Sequence, residues 1–194
     1  RWHWNLGLFR GENHNDILFV ASPQTGFGYF KNFGTTRRQG IELGSMMRYD
    51  RVTFGGGYTL LDATYQSRET VGGSANSANV AAEEGELGLD STIDVQPGDQ
   101  IPLLPRHLFK AFADVEVFPK AHVDLDVIAA AGSFARGNEN NQHAPDGVYY
   151  LGEGRTSGYG VANLGGRYEV RPWLTLVVQV LSLIHISEPT RRRG

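Results

Sequence analysis

From Gly40 to Tyr49 the chain alternates: Ile41, Leu43, Met47 and Tyr49 fall on one face, and Glu42, Gly44, Met46 and Arg48 on the other. A period of two sends successive side chains to opposite faces of a β-strand. Asp50-Arg51 then forms a tight connection. The next run puts Val52, Phe54, Tyr58 and Leu60 opposite Thr53, Gly55, Gly57 and Thr59. The same reading sets Trp2, Trp4, Leu6 and Leu8 against His3, Asn5, Gly7 and Phe9, and carries the first strand on through NDILFVAS. Further along, Phe109, Ala111, Ala113, Val115 and Val117 oppose Lys110, Phe112, Asp114 and Glu116. Val123, Leu125, Val127, Ala129 and Ala131 oppose His122, Asp124, Asp126, Ile128 and Ala130. Ala162, Leu164, Tyr168 and Val170 oppose Asn163, Arg167 and Glu169, and Leu174, Leu176, Val178 and Val180 open a last run. The pattern predicts seven strands, at about 2–20, 29–49, 52–65, 101–118, 121–135, 158–170 and 173–180, and no helix.

The connections fall into two classes that alternate. Asp50-Arg51, Pro119-Lys120 and Arg171-Pro172 are tight, whereas 21–28, 66–100 and 136–157 are longer. All long loops thus gather at one rim, the asymmetry of membrane β-barrels with short periplasmic turns and long outer loops. A soluble β-sandwich also alternates, because one face of each sheet packs on a core. Alternation alone does not separate the two. An irregular stretch of some 35 residues is uncommon inside a compact soluble domain, and this favours the barrel. Paired Trp2 and Trp4 suit an interfacial aromatic girdle equally well as a packed core. In Ile101-Pro-Leu-Leu-Pro-Arg-His107 two prolines force extended backbone, so the segment reads as a stiff lead-in rather than as ladder interior.

Specific stretches narrow the choice. Asn32–Gly44, NFGTTRRQGIELG, resembles the segment by which TonB-dependent outer-membrane receptors enter one of their barrel strands. FRGENHNDILFV ahead of it, IPLLPRH at 101–107 and FARGNENNQHAPDG at 134–147 are similar to further elements of that family. In the last of these, Asn138 stands where the family often carries an acid. The resemblance covers most of residues 9–180. It implies an all-β, membrane-spanning, antiparallel up-and-down β-barrel, here incomplete, with about seven strands of a larger plugged barrel of about 22. It further implies a plug domain inside the barrel and a TonB contact on the periplasmic side, reached through an N-terminal part outside this sequence. The expected function is active import of a scarce ligand such as a ferric siderophore, across the outer membrane of a Gram-negative bacterium. A passive porin or adhesin barrel and a soluble β-sandwich binding module stand as alternatives.

Composition adds limits. The chain has 194 residues, 18 basic and 21 acidic, and no cysteine. Arg1 opens it without Met, charged leader or apolar segment, so the expectation is a piece of a larger protein. Zinc fingers, iron–sulfur ligation, disulfides and Cys nucleophiles are excluded. No run of 18 apolar residues suits a transmembrane helix, although barrel strands need only about 9–11 residues each. The acidic balance argues against a nucleic-acid partner. Residues 1–180 are expected to be barrel. Leu181–Gly194, LSLIHISEPTRRRG, resembles a translated sequencing adapter and is expected to be a non-native tail. Without it, 15 basic residues face 20 acidic ones, a balance of −5 in place of −3.

No catalytic constellation is present. Asp124 and Asp126 share one strand face, unlike carboxylates that flank a substrate from separate elements. His14, His107, His122 and His143 lack metal-ligand spacing, no G-x-S-x-G occurs, and Gly26-x-Gly28 has no following helix. The acids Glu83, Glu84, Glu86, Asp90, Asp94 and Asp99 do not follow an EF-hand spacing, so they read as a solvated loop. The expectation is no enzyme, no cofactor and no bound metal. Ligand contacts are expected on the outer loops at Arg136, Asn138, Glu139, Asn140, Asn141 and His143, with Tyr149 and Tyr150 nearby. There Arg could pair with carboxylates of a ferric chelate. On the barrel reading Glu42, Arg48, Lys110, Asp114, Glu116, Asp124 and Arg167, with His122, Asp126 and Glu169, face the lumen. Glu42, Arg48, Lys110, Asp114, Glu116, Asp124 and Arg167 are candidate plug contacts. Partners expected are outer-membrane lipid, TonB, the protein's own plug and a small-molecule ligand. Long-read sequencing of the parent locus is expected to find an export signal and plug-like domain before Arg1, and a strand with an Asn-Leu-Phe motif in place of the tail. A reading frame opening near Arg1, or a genuinely encoded tail, would instead point to a small self-contained β-protein.

Overall fold

A computed structural model describes residues 1–22, 27–85 and 91–185, with 182–185 as backbone only. Its strands are β1 (Trp2–Ala21), β2 (Gly28–Tyr49), β3 (Val52–Tyr65), β4 (Glu69–Gly72), β5 (Thr92–Val95), β6 (His107–Phe118), β7 (Ala121–Ala130), β8 (Ser133–Phe134), β9 (Arg155–Thr156), β10 (Tyr159–Arg171) and β11 (Leu174–His185). Seven of them make one antiparallel meander in the order β1-β2-β3-β6-β7-β10-β11, and β4-β5 and β8-β9 form separate two-stranded ribbons. The seven expected strands are all present. Strand β6 begins at His107 rather than near 101, and β7 ends at Ala130 rather than near 135. The loop expected to be irregular holds the β4-β5 ribbon and one helical turn, α1 (Val80–Glu83), which corrects the expectation of no helix. Asn79 caps that turn, its side chain accepting from the Ala82 N–H. The third tight turn is Pro172-Trp173, one residue later than read from sequence, and β11 continues past Val180 to a pairing of His185 with Tyr159. Glu86, Asp90 and the last nine residues lie outside the described residues.

Register assigns the faces. Leu6 pairs with Leu43, Leu43 with Tyr58, Tyr58 with Phe109 and Phe109 with Ala129, so one face is apolar across five strands. In β10 and β11 it continues through the pairs Leu164–Val180 and Tyr168–Leu176. That face has no cover: Trp4 is 67%, Leu8 75% and Val178 68% exposed. Among the described residues no second sheet packs against it, as a sandwich would require. From Val52 to Leu60 the apolar run of β3 is about 26 Å long, or about 20 Å tall at the usual barrel tilt of about 40°, close to the lipid-facing belt of an outer-membrane barrel at about 25 Å. Strand β2, at 22 residues, runs for about 70 Å and so projects well beyond such a belt.

Among the described residues, the buried apolar cluster lies in this projecting part. Val20, Phe33, Ala63, Tyr65, Val71, Ile93, Val95 and Ile101 form it, with Leu18, Leu61 and Leu104 packed alongside. The β4-β5 ribbon thus covers the Thr53–Thr59 face of the sheet above the lipid belt, with Phe33 and Tyr65 rings 4.9 Å apart. A switch in β1 makes this possible. Below Asn15 the half-buried residues are Gly7 and Phe9; above it they are Asp16 and Leu18, followed by fully buried Val20. Asn15 takes a left-handed backbone at φ 55, which asparagine tolerates better than most residues. The β1-β2 ladder omits the Asn15–Gly34 position yet keeps its register on both sides. The freed Gly34 N–H donates to Glu69 Oε1 at 2.9 Å.

The proline-rich segment is a detour in the ladder. The Ile101 N–H donates to Ala63 O and the Leu61 N–H to Arg106 O, so Pro102–Pro105 loop out between two points of attachment to β3. Gly40, in the Gln-Gly-Ile-Glu-Leu run, has a packing reason to be glycine. A Cβ there would collide with the Leu60 carbonyl and lie 2.8 Å from the Phe9 ring, which crosses over it. Gly11, in the partner strand, has open space. In the complete protein, Gly40→Val is expected to lower thermal stability by about 1–3 kcal/mol, the range for overpacking. Gly11→Val should leave the melting temperature unchanged, and equal effects from the two would refute this packing account.

Candidate functional site

Two groups of polar residues stand out, one on the inner wall and one in the outer loops. On the wall, Glu42 pairs with Thr59, Arg48 with Thr53, Lys110 with Gly57 and Asp114 with Thr53. Asp124 stands opposite Asp114, and Arg167 and Glu116 each stand opposite His122. All seven wall residues predicted from sequence therefore share the face opposite the apolar band. Two carboxylates directly across a ladder repel. Here Asp114 takes Arg167 Nη2 at 3.0 Å and His122 Nδ1 at 2.8 Å, so three strands are joined through one acid. Asp124 instead lies over Gly165, where a Cβ would clash with its carboxylate. Lys120 and Glu169 pair at 3.4 Å beside the turn. Glu42, Arg48, Lys110, Glu116 and Asp124 make no ion pair among the described residues.

In the outer loops the predicted residues divide by burial. Asn138, Glu139 and Asn140 are 2%, 1% and 2% exposed, so their side chains are internal fasteners, not part of the outer surface. Asn138 Nδ2 donates to Gly154 O at 2.9 Å and its Oδ1 accepts from the His143 N–H at 3.0 Å. Asn140 Oδ1 accepts from Asn76 Nδ2 at 3.2 Å. Asn141, left-handed at φ 58, uses its amide to accept from the Gln100 N–H at 2.6 Å and donate to the Gln100 carbonyl at 3.0 Å. His143 Nδ1 accepts from the Ser77 N–H at 3.0 Å, which leaves Nε2 to donate to Gly152 O at 2.8 Å. The imidazole is thereby fixed as one neutral tautomer.

Of the predicted residues, Arg136 is exposed and borders an open cavity in the outer loops. Its guanidinium sits 4.3 Å from the Phe19 ring centroid, a cation–π contact. A cavity of about 380 Å³ opens beside it, walled by Ser74, Asn138, His143, Tyr149, Tyr150 and Leu151. Tyr149 and Tyr150 are set by Asp146, whose Oδ1 accepts from the Val148, Tyr149 and Tyr150 N–H groups at 2.8–2.9 Å. Those three donors hold the Asp146 carboxyl below its ordinary value. The cavity thus combines a cation, aromatic walls and hydroxyls.

Sequence reasoning missed the partners on the other loop. Asn76, Ser77 and Asn79 read only as small polar loop residues, although an Asn repeat in a Gly-Ser stretch is the composition that side-chain-to-backbone fastening draws on. The acidic stretch does not collect: among the described residues no three His, Cys, Asp or Glu side chains gather around a metal-sized site. Asp94 accepts from Thr70 Oγ1 and Asp99 from the Gln96 N–H, both local turn and ribbon contacts.

No curated protein sequence matches the chain. Among solved structures, the ferric-catecholate import receptor Fiu from Escherichia coli K12, in its closed form, aligns at TM-score 0.54 and 19% identity, covering 93% of this chain and 20% of that one. The siderophore receptor PiuA from Acinetobacter baumannii aligns at TM-score 0.57 and 18% identity, covering 92% of this chain and 21% of the receptor. At these identities the likeness is one of fold, and the chain spans about a fifth of each receptor's length. The family model described as TonB dependent receptor-like, beta-barrel, matches residues 1–181. With the alternating faces, one-sided long loops and seven-stranded meander, that match establishes that the chain belongs to the TonB-dependent receptor β-barrel family.

Proposed function

We propose that this chain is the barrel wall and part of the outer face of a receptor that binds a scarce anionic ligand outside the cell and imports it with TonB-supplied energy. The observation that carries the reading is the Arg136 cavity, set in loops on the rim opposite the tight turns of a sheet with one lipid-suited face. Solved relatives described as ferric-catecholate and siderophore receptors support a ferric chelate as the ligand class. Planar aromatic anions of that kind would stack on Tyr149 and accept from the Arg136 fork. The setting is the outer membrane of a Gram-negative bacterium, with lipid against the Trp2–Leu8 face. The plug and the TonB contact belong to parts of the receptor outside residues 1–194. Leu181–Gly194 is read as a non-native tail; the family match reaches residue 181, while the ladder carries β11 on to His185.

On the wall, Asp114, with Arg167 and His122, is the proposed latch against the plug. Its charges are joined to one another, and Arg167 keeps about half its side-chain surface free to meet a second partner. Glu42, Arg48, Lys110, Glu116 and Asp124, without an ion pair among the described residues, supply further charge to the same surface.

In the complete receptor, Arg136→Ala is expected to weaken binding of a ferric catecholate about 10–100-fold with the melting temperature unchanged, the loss expected for a charge-assisted contact. Asn138→Ala should instead cost about 1–3 kcal/mol of stability by stranding the Gly154 carbonyl and the His143 N–H. An unchanged affinity in Arg136→Ala would remove the cavity as the ligand site. Asp114→Asn is expected to alter uptake severalfold while leaving affinity intact. Uptake at the parental rate would make this cluster ordinary wall polarity, and uptake independent of TonB would favour a passive pore.

A further inference from the structure

Two long outer connections, 66–106 between β3 and β6 and 131–158 between β7 and β10, are far apart in sequence but are joined by hydrogen bonds at 76–78, 100 and 103. Asn76 Nδ2 donates to Gly137 O at 2.8 Å as well as to Asn140, and Asn140 Nδ2 donates to Ala78 O at 3.4 Å. The Ser77 N–H and Oγ serve His143 and the Ala144 N–H in turn. Asn141 holds Gln100 on both backbone groups, and the Leu103 N–H donates to Phe134 O at 2.9 Å. Most of these bonds are made by a side chain of one loop to the backbone of the other. Neither loop can leave without stranding buried donors and acceptors on its partner, an unfavourable outcome that couples their motions.

Glu139 is buried within this contact, between Gly137 and Asn140, which both bond to Asn76. It is 1% exposed, its Oε1 accepts from the Gly137 N–H at 3.1 Å, and its Oε2 has no hydrogen-bond partner among the described residues. The charged group nearest it on its own segment is Arg136. From β3 it faces the Tyr65 hydroxyl, which also feels Asp99 ahead of β6, Asp16 of β1 and Arg38 of β2. His143 is held by two hydrogen bonds in the same contact. A buried acid with one oxygen unsatisfied, a phenol beside it and a single close cation is better accommodated with its proton on.

We propose that the two outer loops form one body that opens as a unit, with Glu139 as the proton-dependent pin within their contact. Burial pushes the Glu139 carboxyl above its ordinary value of 4.5, against weaker pulls from the Gly137 and Glu139 N–H groups and from Arg136. Because the closed-state value is the raised one, fastening is complete below 4.5 and weakens as pH rises through the raised value. The outer loops would then loosen toward alkaline pH. The inference is independent of which ligand the receptor carries.

Hydrogen exchange read by mass spectrometry on the full-length receptor in detergent micelles tests it, with rates corrected for the intrinsic pH dependence of amide exchange. Amides in 74–83 and 136–144 are expected to share one opening equilibrium. That equilibrium should rise with pH, by up to about tenfold per unit, the most that one carboxyl supplies. Asn76→Ala should raise exchange in both segments, and Glu139→Gln should remove the pH dependence. Distinct opening equilibria for the two segments would overturn the single body. A pH-independent opening in the unsubstituted receptor, or an unchanged pH slope in Glu139→Gln, would overturn the pin. The measurements on the unsubstituted protein decide both points even if a variant fails to assemble.

Discussion

A β-strand in hydrocarbon has to satisfy every backbone N–H and C=O against a neighbouring strand, and has to present opposite surfaces to lipid and to the lumen. The seven-stranded meander meets both demands at once. Each interior strand is paired on both sides, and register carries the apolar face from Leu6 through Leu43, Tyr58 and Phe109 without a break. Tight turns follow because neighbouring strands must return at once, whereas connections in water above the belt are free to lengthen. The asymmetry between Asp50-Arg51 and the 66–106 loop is a consequence of where the solvent is. The exposed edges of β1 and β11 are the points at which the remainder of such a barrel would continue the ladder.

Above the belt the solvent problem reverses, and so does the packing. There the sheet needs a core of its own, and it builds one around Phe33 and Tyr65 by laying the β4-β5 ribbon over its inner face. Ion pairs at this level, such as Lys31 with Glu69 at 3.1 Å, sit at the edge of that core and orient the ribbon more than they stabilise it. The loops beyond are then fastened by amide side chains, whose two-sided hydrogen bonding replaces the ladder where no regular strand is available. Rigid scaffolding of this kind is what allows an Arg136 or a Tyr149 to be held at a fixed place on a loop.

How much of this was legible depends on the range of the interactions. Strand existence and facing were legible because they are local: a period of two across eight or ten residues marks Glu42, Asp114 and Arg167 as sharing a wall before any contact is known. The IPLLPRH detour was legible as a break in pairing, because proline removes a donor, but its return to Leu61 was not. The fate of Asn138–Asn141 was hidden, because a polar residue in a loop looks the same whether it reaches for solvent or for a backbone group 60 residues away. Asn140 and Asn141 are held by Asn76 and Gln100, which no local pattern links to them. The small helix at Val80–Glu83 escaped notice for a related reason, being a single capped turn too short to show a period.

The Asn15–Gly34 position, where the β1-β2 ladder skips one pair without losing register, has a bearing on how such a protein can diversify. Because the reversal of facing is confined to that point, the barrel below and the head above obey separate patterning rules on the same two strands. Substitutions that reshape the head do not have to respect the lipid's demands, and the belt can drift in composition without disturbing the head's core. A lineage can thus exchange the part that meets the environment while inheriting the part that meets the membrane.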